Sequence, residues 1–310
     1  MKIGVIGAGG VGSACLLSSV MRGVAREIVV VNRERKRGKA VVTDLQYGAA
    51  LSSAVQIRDG DYSDLTGAAL IMITAGMNEK AGGATDRNDP AGRLKLLASN
   101  VGVYRQVLPE IFKAAPEAVI LVVTDPPDPL ADFVHTFGFT RVLSTGTFLD
   151  SLRFRFHVAR HLNVSPASVD ADVLGEHGTS EVFMWSSAQV AGVGVLDALR
   201  QTDPTGVDLR RSIEQEVRFA NITIIEGNQA SQFGIGMASA RIAEIVLRDE
   251  RAVIPIGSYN PQYGVTLSMP SVLGQRGVVQ ILEPAMSDDE GQALQRSAAT
   301  LKAAVAGMQM

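Results

Sequence analysis

Short apolar runs alternate with longer amphipathic stretches through the first half of the chain. The runs are continuous in Val and Ile, a pattern typical of strands that are buried on both faces of a sheet. Strands are predicted at Lys2–Ile6, Glu27–Val31, Val55–Ile57, Ala69–Thr74 and Ala118–Val123, and helices at Val11–Gly23, Glu34–Ala50 and Leu94–Ala115. This alternation predicts an α/β fold with a parallel sheet and helices on both of its faces.

After Gly146 the pattern changes, because strands and helices no longer alternate regularly. Helices are predicted at Leu149–Leu162, Arg210–Glu226, Phe233–Arg248 and Asp288–Ala306, and strands at Asp170–Leu174, Ala252–Ile256, Val265–Ser268 and Val278–Leu282. Such a mixture is typical of an α+β domain. We therefore predict a first domain over residues 1–146 and a second over residues 147–310.

Two segments interrupt this pattern. Asn78–Gly92 is polar and glycine-rich, and a loop of that length inside a domain is usually a lid or a binding element. Thr124–Pro129, with the sequence TDPPDP, directly follows a predicted buried strand. Its prolines predict that it neither forms a helix nor continues the ladder of the sheet.

A glycine motif, GAGGVG, joins the first predicted strand to the first helix. In this position Gly7 permits a tight turn, Gly9 lets the backbone approach a pyrophosphate, and Gly12 allows close packing of the helix on the strand. The helix amino terminus then meets the phosphate charge. The motif predicts a dinucleotide site in the first domain.

The end of the second strand bears on the choice of cofactor. An acidic residue there usually binds the adenosine ribose hydroxyls, but this chain has Asn32 followed by Arg33. Asn32 does not repel a 2′-phosphate, and Arg33 or Arg35 could pair with one. These arginines could equally be the solvated start of a helix. The sequence therefore leaves the choice between NAD and NADP open.

Composition and charge exclude several classes of protein. The 310 residues are 46% hydrophobic and carry a formal charge of −3, so no basic excess suggests binding to nucleic acid. No apolar run approaches the roughly 18–20 residues that cross a bilayer. The single cysteine, Cys15, excludes an intrachain disulfide, and no cysteine or carboxylate is placed to complete a metal site with His157 and His161. We expect a soluble, cytoplasmic protein without a metal.

Three segments carry candidate chemistry. In Gly146–Arg155, GTFLDSLRFR, Asp150 and Arg153 stand three residues apart and so share one face of a helix. Gly175–Ser180, GEHGTS, holds a histidine, whose ordinary pKa suits proton exchange near neutral pH. Arg93 follows the long polar loop, where the next helix begins.

These segments, with WSSA at residues 185–188, resemble the L-lactate/L-malate dehydrogenase superfamily along nearly the whole chain. The GEHG and WSSA forms are more similar to the L-lactate branch. The resemblance implies an N-terminal Rossmann domain followed by a catalytic domain. It also implies an enzyme that interconverts a 2-keto acid and an L-2-hydroxy acid with NAD or NADP, as a homodimer or homotetramer.

The resemblance also implies a role for each residue at the site. His177 would be the acid/base, and Asp150 would orient its ring. Arg153 would hold the substrate carboxylate in a two-pronged pair, and Arg93 would polarise the carbonyl when the loop closes. Ser231 falls where the family has a small hydroxyl residue lining the substrate pocket.

The chain departs from the family pattern at three places. Asp125 replaces an Asn that contacts the substrate and the nicotinamide ribose, beside a cofactor-binding turn at Ala75 and Gly76. An Asp loses the amide donor and adds a charge beside an anionic substrate, unless it is neutral or shielded. Thr179 replaces an acidic residue, and the loop before Arg93 is longer, as in 2-hydroxyisocaproate dehydrogenase.

The long loop can be aligned in two ways, which predict different substrates. Counting forward from Gly76 places Glu79 against the substrate side chain, where it would reject the second carboxylate of oxaloacetate. Counting back from Arg93 places Arg87 there, and malate dehydrogenases have an Arg at this spacing. Lactate dehydrogenase is the favoured interpretation and malate dehydrogenase the alternative. A non-catalytic NAD(P)-binding sensor is a further alternative, which the presence of His177 disfavours.

Overall fold

A parallel sheet organises the first half of the chain in the computed structural model, which describes residues 1–52, 55–89, 92–202, 209–228 and 230–308. Its strands are β1 (Lys2–Ile6), β2 (Glu27–Val31), β3 (Gln56–Asp59), β4 (Leu70–Ile73), β5 (Val119–Val122) and β6 (Val142–Ser144). The helices are α1 (Gly10–Arg22), α2 (Arg35–Ala49), α3 (Leu97–Ala114) and α4 (Pro127–His135). The strands lie in the order β3-β2-β1-β4-β5-β6, all parallel, which confirms the predicted α/β fold.

The second half adds helices and antiparallel strands. The helices are α5 (Phe148–Leu162), α6 (Val195–Thr202), α7 (Leu209–Arg218), α8 (Ala220–Gly227), α9 (Phe233–Arg248) and α10 (Asp288–Ala306). The strands are β7 (Val169–Asp170), β8 (Val173–Leu174), β9 (Val182–Phe183), β10 (Gln189–Val190), β11 (Val193–Gly194), β12 (Ala252–Asn260), β13 (Val265–Gly274) and β14 (Gly277–Ile281). Within the described ranges, no helix is both long and apolar enough to span a bilayer.

The sheet and the core both continue across residue 146. Strand β12 pairs antiparallel with β6 through Gly257 and Ser144, so β12, β13 and β14 extend the parallel sheet. Helix α9 packs beside α1 over the parallel strands, where Ile242 joins Leu16 and Val5 in one buried cluster. The second half therefore packs over one face of the first through α9, and the division at residue 146 stays a prediction.

Three element predictions need correction. The predicted strand Asp170–Leu174 is two short strands, since β7 pairs with β10 and β8 pairs with β9 in separate sheets. The predicted helix Arg210–Glu226 breaks at Phe219 into α7 and α8. The sequence does not indicate that break, because buried side chains continue across it at four-residue spacing: Ile213, Val217, Asn221 and Ile225. The third correction concerns the helix predicted from Leu94. Helix α3 begins at Leu97, after a 3₁₀ turn at Gly92–Leu96.

The TDPPDP segment also differs from its prediction. Helix α4 begins at Pro127, so the last three residues of Thr124–Pro129 are helical. A proline in the first turn removes an N–H group that has no partner within the helix, and its fixed φ suits a helix start. The long loop is irregular over residues 78–89, as predicted, and Gly92 begins the 3₁₀ turn, while residues 90 and 91 lie outside the described residues.

Candidate active site

The glycine motif forms a tight turn between β1 and α1. Gly7 has a φ of 105°, and a Cβ on it would lie 2.9 Å from the backbone nitrogen of Ala75. A Cβ on Gly12 would lie 2.1 Å from the Gly7 carbonyl oxygen, so any side chain there would push the helix off the strand. A Cβ on Gly9 would meet nothing within 4 Å, so the turn has an open side at the start of α1. These features fit a cofactor pyrophosphate.

A groove of about 670 Å³ runs from this turn along the carboxyl ends of β1, β2 and β4. The predicted cofactor residues that line it are Gly7, Gly9, Asn32, Arg33, Ala75 and Gly76. This edge lies at β1 and β4, where the strand order reverses, which is the usual ligand position in an open α/β sheet.

Asn32 and Arg37 hold the glycine turn. Asn32 Oδ1 accepts a hydrogen bond from the Ala8 backbone N–H (2.9 Å), and its Nδ2 donates to the Glu34 carbonyl (2.8 Å). Arg37 Nε donates to the Ala8 carbonyl (3.0 Å), and its side chain lines the groove. The sequence interpretation left Arg37 out of the site, because nothing in a run of basic residues indicates which one turns towards the glycines.

A second cavity, of about 310 Å³, continues from the groove and brings the candidate catalytic residues together. It shares Gly9, Arg37, Thr74 and Gly76 with the groove. The other predicted residues that line it are Glu79, Arg93, Asp125, Arg153, His177 and Ser231.

Asp150 links the histidine and one arginine. Its side chain is buried near the start of α5, where Oδ2 makes a hydrogen bond with His177 Nδ1 and Oδ1 accepts one from Arg153 Nη1 (2.9 Å). Burial alone would raise the pKa of Asp150, but the His177 ring, Arg153 and Arg93 outweigh it and lower that pKa below its ordinary value. Asp150 is therefore ionised at neutral pH and stabilises positive charge on its neighbours.

The other ring nitrogen of His177 is directed towards the cavity. Nε2 lies 3.7 Å from Asp125 Oδ1, beyond hydrogen-bonding distance, and His177 lines the cavity. A proton on Nε2 can therefore reach a bound molecule while Nδ1 remains in contact with Asp150.

Asp128, which the sequence interpretation missed, positions the backbone of His177. Its Oδ2 accepts the His177 backbone N–H (2.8 Å), and its Oδ1 accepts the Ser144 hydroxyl. Burial raises the pKa of Asp128 to about 7, although both hydrogen bonds act in the opposite direction. The available signal was an acidic residue between the prolines of TDPPDP.

Arg93 lies between two carboxylates. Its Nε is 3.6 Å from Glu79 Oε1 and 3.6 Å from Asp125 Oδ2, and its side chain is 10% exposed. Burial alone would lower the pKa of Arg93, but the carboxylates of Asp125 and Glu79 outweigh it and raise that pKa. Arg93 thus presents a permanent positive charge to the cavity.

The two alternatives for the long loop occupy different places. Glu79 is buried, lines the cavity and accepts a hydrogen bond from Asn221 Nδ2 of α8 (3.0 Å). Arg87 is exposed and pairs with Glu226 (2.7 Å), with a further hydrogen bond to Thr223 (3.2 Å). The structure brings Glu79 to the site and leaves Arg87 on the outer side of α8. Asn221 was not foreseen, since a helix polar residue carries no signal of its own.

Of the two helical histidines, His157 makes an ion-pair contact outside the cavity. His157 Nδ1 lies 2.7 Å from Glu216 Oε2. Across the ranges that the structure describes, no group of three or more His, Cys, Asp or Glu side chains is arranged to hold a metal ion.

Comparison with known proteins shows the family. Residues 1–142 match the lactate/malate dehydrogenase NAD binding domain, and residues 147–309 match the lactate/malate dehydrogenase alpha/beta C-terminal domain. The chain belongs to the lactate/malate dehydrogenase family. The predicted resemblance is therefore confirmed.

Individual relatives lie on the L-lactate side of this family. The L-lactate dehydrogenase of Deinococcus radiodurans is 41% identical over 304 residues, which cover 97% of each chain. That of Thermus aquaticus is 41% identical over 317 residues, covering 99% of each. The solved minor L-lactate dehydrogenase of Enterococcus mundtii gives a TM-score of 0.91 at 29% identity, covering 100% of this chain and 98% of that one. A lactate dehydrogenase from a Medee basin deep-sea metagenome library gives 0.90 at 29% identity, covering 98% of each.

Proposed function

We propose that the chain is an NAD-dependent L-2-hydroxy acid dehydrogenase of the L-lactate dehydrogenase type. One observation carries the proposal: His177 is held at Nδ1 by Asp150 and turns Nε2 into a cavity that Arg93 and Arg153 also line. That cavity adjoins the groove at the glycine turn. Bound there, the nicotinamide supplies the hydride-transfer chemistry.

The side chains divide the remaining work. Arg153 binds the carboxylate of the 2-keto acid through its planar guanidinium. Arg93 polarises the carbonyl, and protonated His177 gives its Nε2 proton to the keto oxygen. Asp150 keeps the ring oriented and stabilises its positive charge. In the reverse direction His177 accepts the proton from the hydroxyl group.

A spectrophotometric panel tests the proposal. NADH absorbance at neutral pH should fall when the protein meets pyruvate, bulkier 2-keto monocarboxylates or oxaloacetate. NADH binding without turnover on any of these acids would favour a non-catalytic sensor instead.

Asn32 is expected to govern the choice between NAD and NADP. Asp at this position could still accept the Ala8 N–H, but it would add a charge that repels a 2′-phosphate. We expect Asn32→Asp to raise the kcat/KM ratio of NADH over NADPH, because the added carboxylate would repel the 2′-phosphate of NADPH and can accept from the ribose hydroxyls of NADH. Kinetics with both cofactors measure this ratio.

Asn32→Ala is the control for that experiment, because it removes the amide without adding a charge. A ratio that Asn32→Asp leaves unchanged would mean that residue 32 does not read the ribose.

A monocarboxylate is the proposed substrate. Glu79 lines the cavity, and its carboxylate would repel the second carboxylate of oxaloacetate. We expect pyruvate or a bulkier 2-keto monocarboxylate to have a higher kcat/KM than oxaloacetate. Arg87→Ala should change that ratio by less than about fivefold, because an exposed ion pair contributes about 0–1 kcal/mol. Preference for oxaloacetate that Arg87→Ala abolishes would instead make the chain a malate dehydrogenase.

We propose that the chain forms a homodimer. A homotetramer built from two such dimers would contain the same interface. Helix α9 contacts both α1 and α5, and each of the three carries exposed apolar side chains. These are Leu17, Met21, Leu152, Phe156, Phe233 and Met237. Exposed apolar patches on helices favour contact with another chain. Sedimentation velocity tests this, and a monomer at micromolar concentration would contradict it.

A further inference from the structure

Two carboxylates share one guanidinium in the cavity proposed for the substrate. Glu79 Oε1 and Asp125 Oδ2 each lie 3.6 Å from Arg93 Nε, and both side chains line the cavity. The other arginines lining it have partners elsewhere. Arg153 donates to Asp150, and Arg37 donates to the Ala8 carbonyl on the glycine turn. This side of the cavity therefore has more negative than positive charge.

Glu79 has an oxygen left for a ligand. Asn221 Nδ2 and Arg93 both approach Oε1, and within the described residues no hydrogen bond reaches Oε2. The glutamate is 8% exposed, so it has little solvent to compensate its charge. Burial and the Asp125 carboxylate raise the pKa of Glu79, and Arg93, Asn221 and His177 offset that rise only in part.

The proposed reaction increases this imbalance. A 2-keto acid adds a carboxylate, which binds Arg153, and its carbonyl oxygen accepts hydrogen bonds from Arg93 and His177. The reduced nicotinamide ring is neutral, so it would bring no positive charge to the bound 2-keto acid before hydride transfer. A substrate with an apolar side chain would leave Glu79 with only the Arg93 that it shares with Asp125, whose other oxygen lies 3.7 Å from His177 Nε2. A substrate with a second carboxylate would add repulsion.

We propose that the preferred 2-keto acid carries a positively charged, hydrogen-bond-donating side chain, bound by Glu79 and Asp125. This inference rests on the proposed dehydrogenase function and extends it to a substrate class. The side-chain cation would donate to Glu79 Oε2 in a charge-assisted hydrogen bond and would restore the charge balance beside Arg93. A guanidinium group suits a carboxylate well because its donors are planar and paired.

Two substrates of equal length separate charge from size. 2-Keto-5-guanidinopentanoate and 2-keto-5-ureidopentanoate differ mainly in the positive charge at the end of the side chain. With NADH, we expect kcat/KM for the guanidino acid to be higher by about 10–100-fold, because both side chains can donate to Glu79 but only the guanidinium brings an opposite charge. In Glu79→Gln this preference should fall by at least about tenfold, because the variant loses the negative charge. The amide keeps the shape of the side chain and can still accept from Asn221.

Glu226→Gln is the matched control, because Glu226 lies on the outer side of α8 and pairs with Arg87. It should leave the preference unchanged. Asp125→Asn is a second variant that should also lower the preference for the guanidino acid. It keeps the inference testable if Glu79→Gln does not fold.

Each outcome is decisive. Equal or higher kcat/KM for the ureido acid in the wild type overturns the inference but leaves the dehydrogenase proposal standing, because NADH is still oxidised. A guanidino preference that persists in both Glu79→Gln and Asp125→Asn also overturns it. If no 2-keto acid oxidises NADH, both the inference and the proposed function fail.

Discussion

Replacing His177 with Asn is expected to lower kcat by about 10²–10⁴-fold, the usual contribution of general acid–base catalysis. Asparagine can occupy part of the ring's space beside Asp150, but its amide does not exchange a proton near neutral pH. The groove at the glycine turn does not include His177, so NADH affinity should change little. Steady-state kinetics give kcat, and NADH fluorescence titration gives the binding constant.

His157→Asn provides the comparison for this experiment. His157 lies on α5, the helix that carries Asp150, but it pairs with Glu216 and does not line the cavity. This variant should keep kcat near the wild-type value. Near-normal turnover in His177→Asn would remove His177 from the proposed chemistry.

Four of the parallel strands, β1, β2, β4 and β5, could be predicted because their residues are buried on both faces. Strand β6, which has three residues, was not predicted. The apolar runs give β1 and β2 at their predicted bounds, and α9 and α10 also begin and end as predicted. Errors arose where local preference and tertiary context differ. Prolines suggested irregular backbone at the start of α4, although the first turn of a helix tolerates them.

The site separates into local and long-range parts. The contact of His177 with Asp150 could be predicted from the family resemblance, because both residues lie in short, specific motifs. Other contributions depend on contacts that spacing does not encode. Asp128 is 49 residues from His177, and Asn221 is 142 residues from Glu79. The choice between Glu79 and Arg87 likewise required the path of the loop over α8, because the insertion could be placed on either side.

Replacing Arg153 with Lys is expected to raise KM for the 2-keto acid by about 10–100-fold, from the loss of one charge-assisted hydrogen bond. Arg153 uses Nη1 to donate to Asp150 (2.9 Å), so its remaining donors can bind a carboxylate while the guanidinium stays fixed. A lysine ammonium keeps the charge but has one nitrogen, which cannot contact Asp150 and grip both oxygens of a substrate carboxylate in this geometry. Initial rates over a range of 2-keto acid concentrations at saturating NADH measure KM.

The neighbouring Arg155 distinguishes loss of substrate binding from damage to helix α5. Arg155 pairs with Asp172 (2.8 Å) and donates to the Ala171 carbonyl (2.9 Å), and it does not line the cavity. Arg155→Lys alters the same helix by the same chemical change, so it should leave KM for the 2-keto acid close to the wild-type value. If both variants raise KM equally, the effect comes from the packing of α5. An increase confined to Arg153→Lys would come from the carboxylate contact, because Arg153 is the one of the two that faces the substrate cavity.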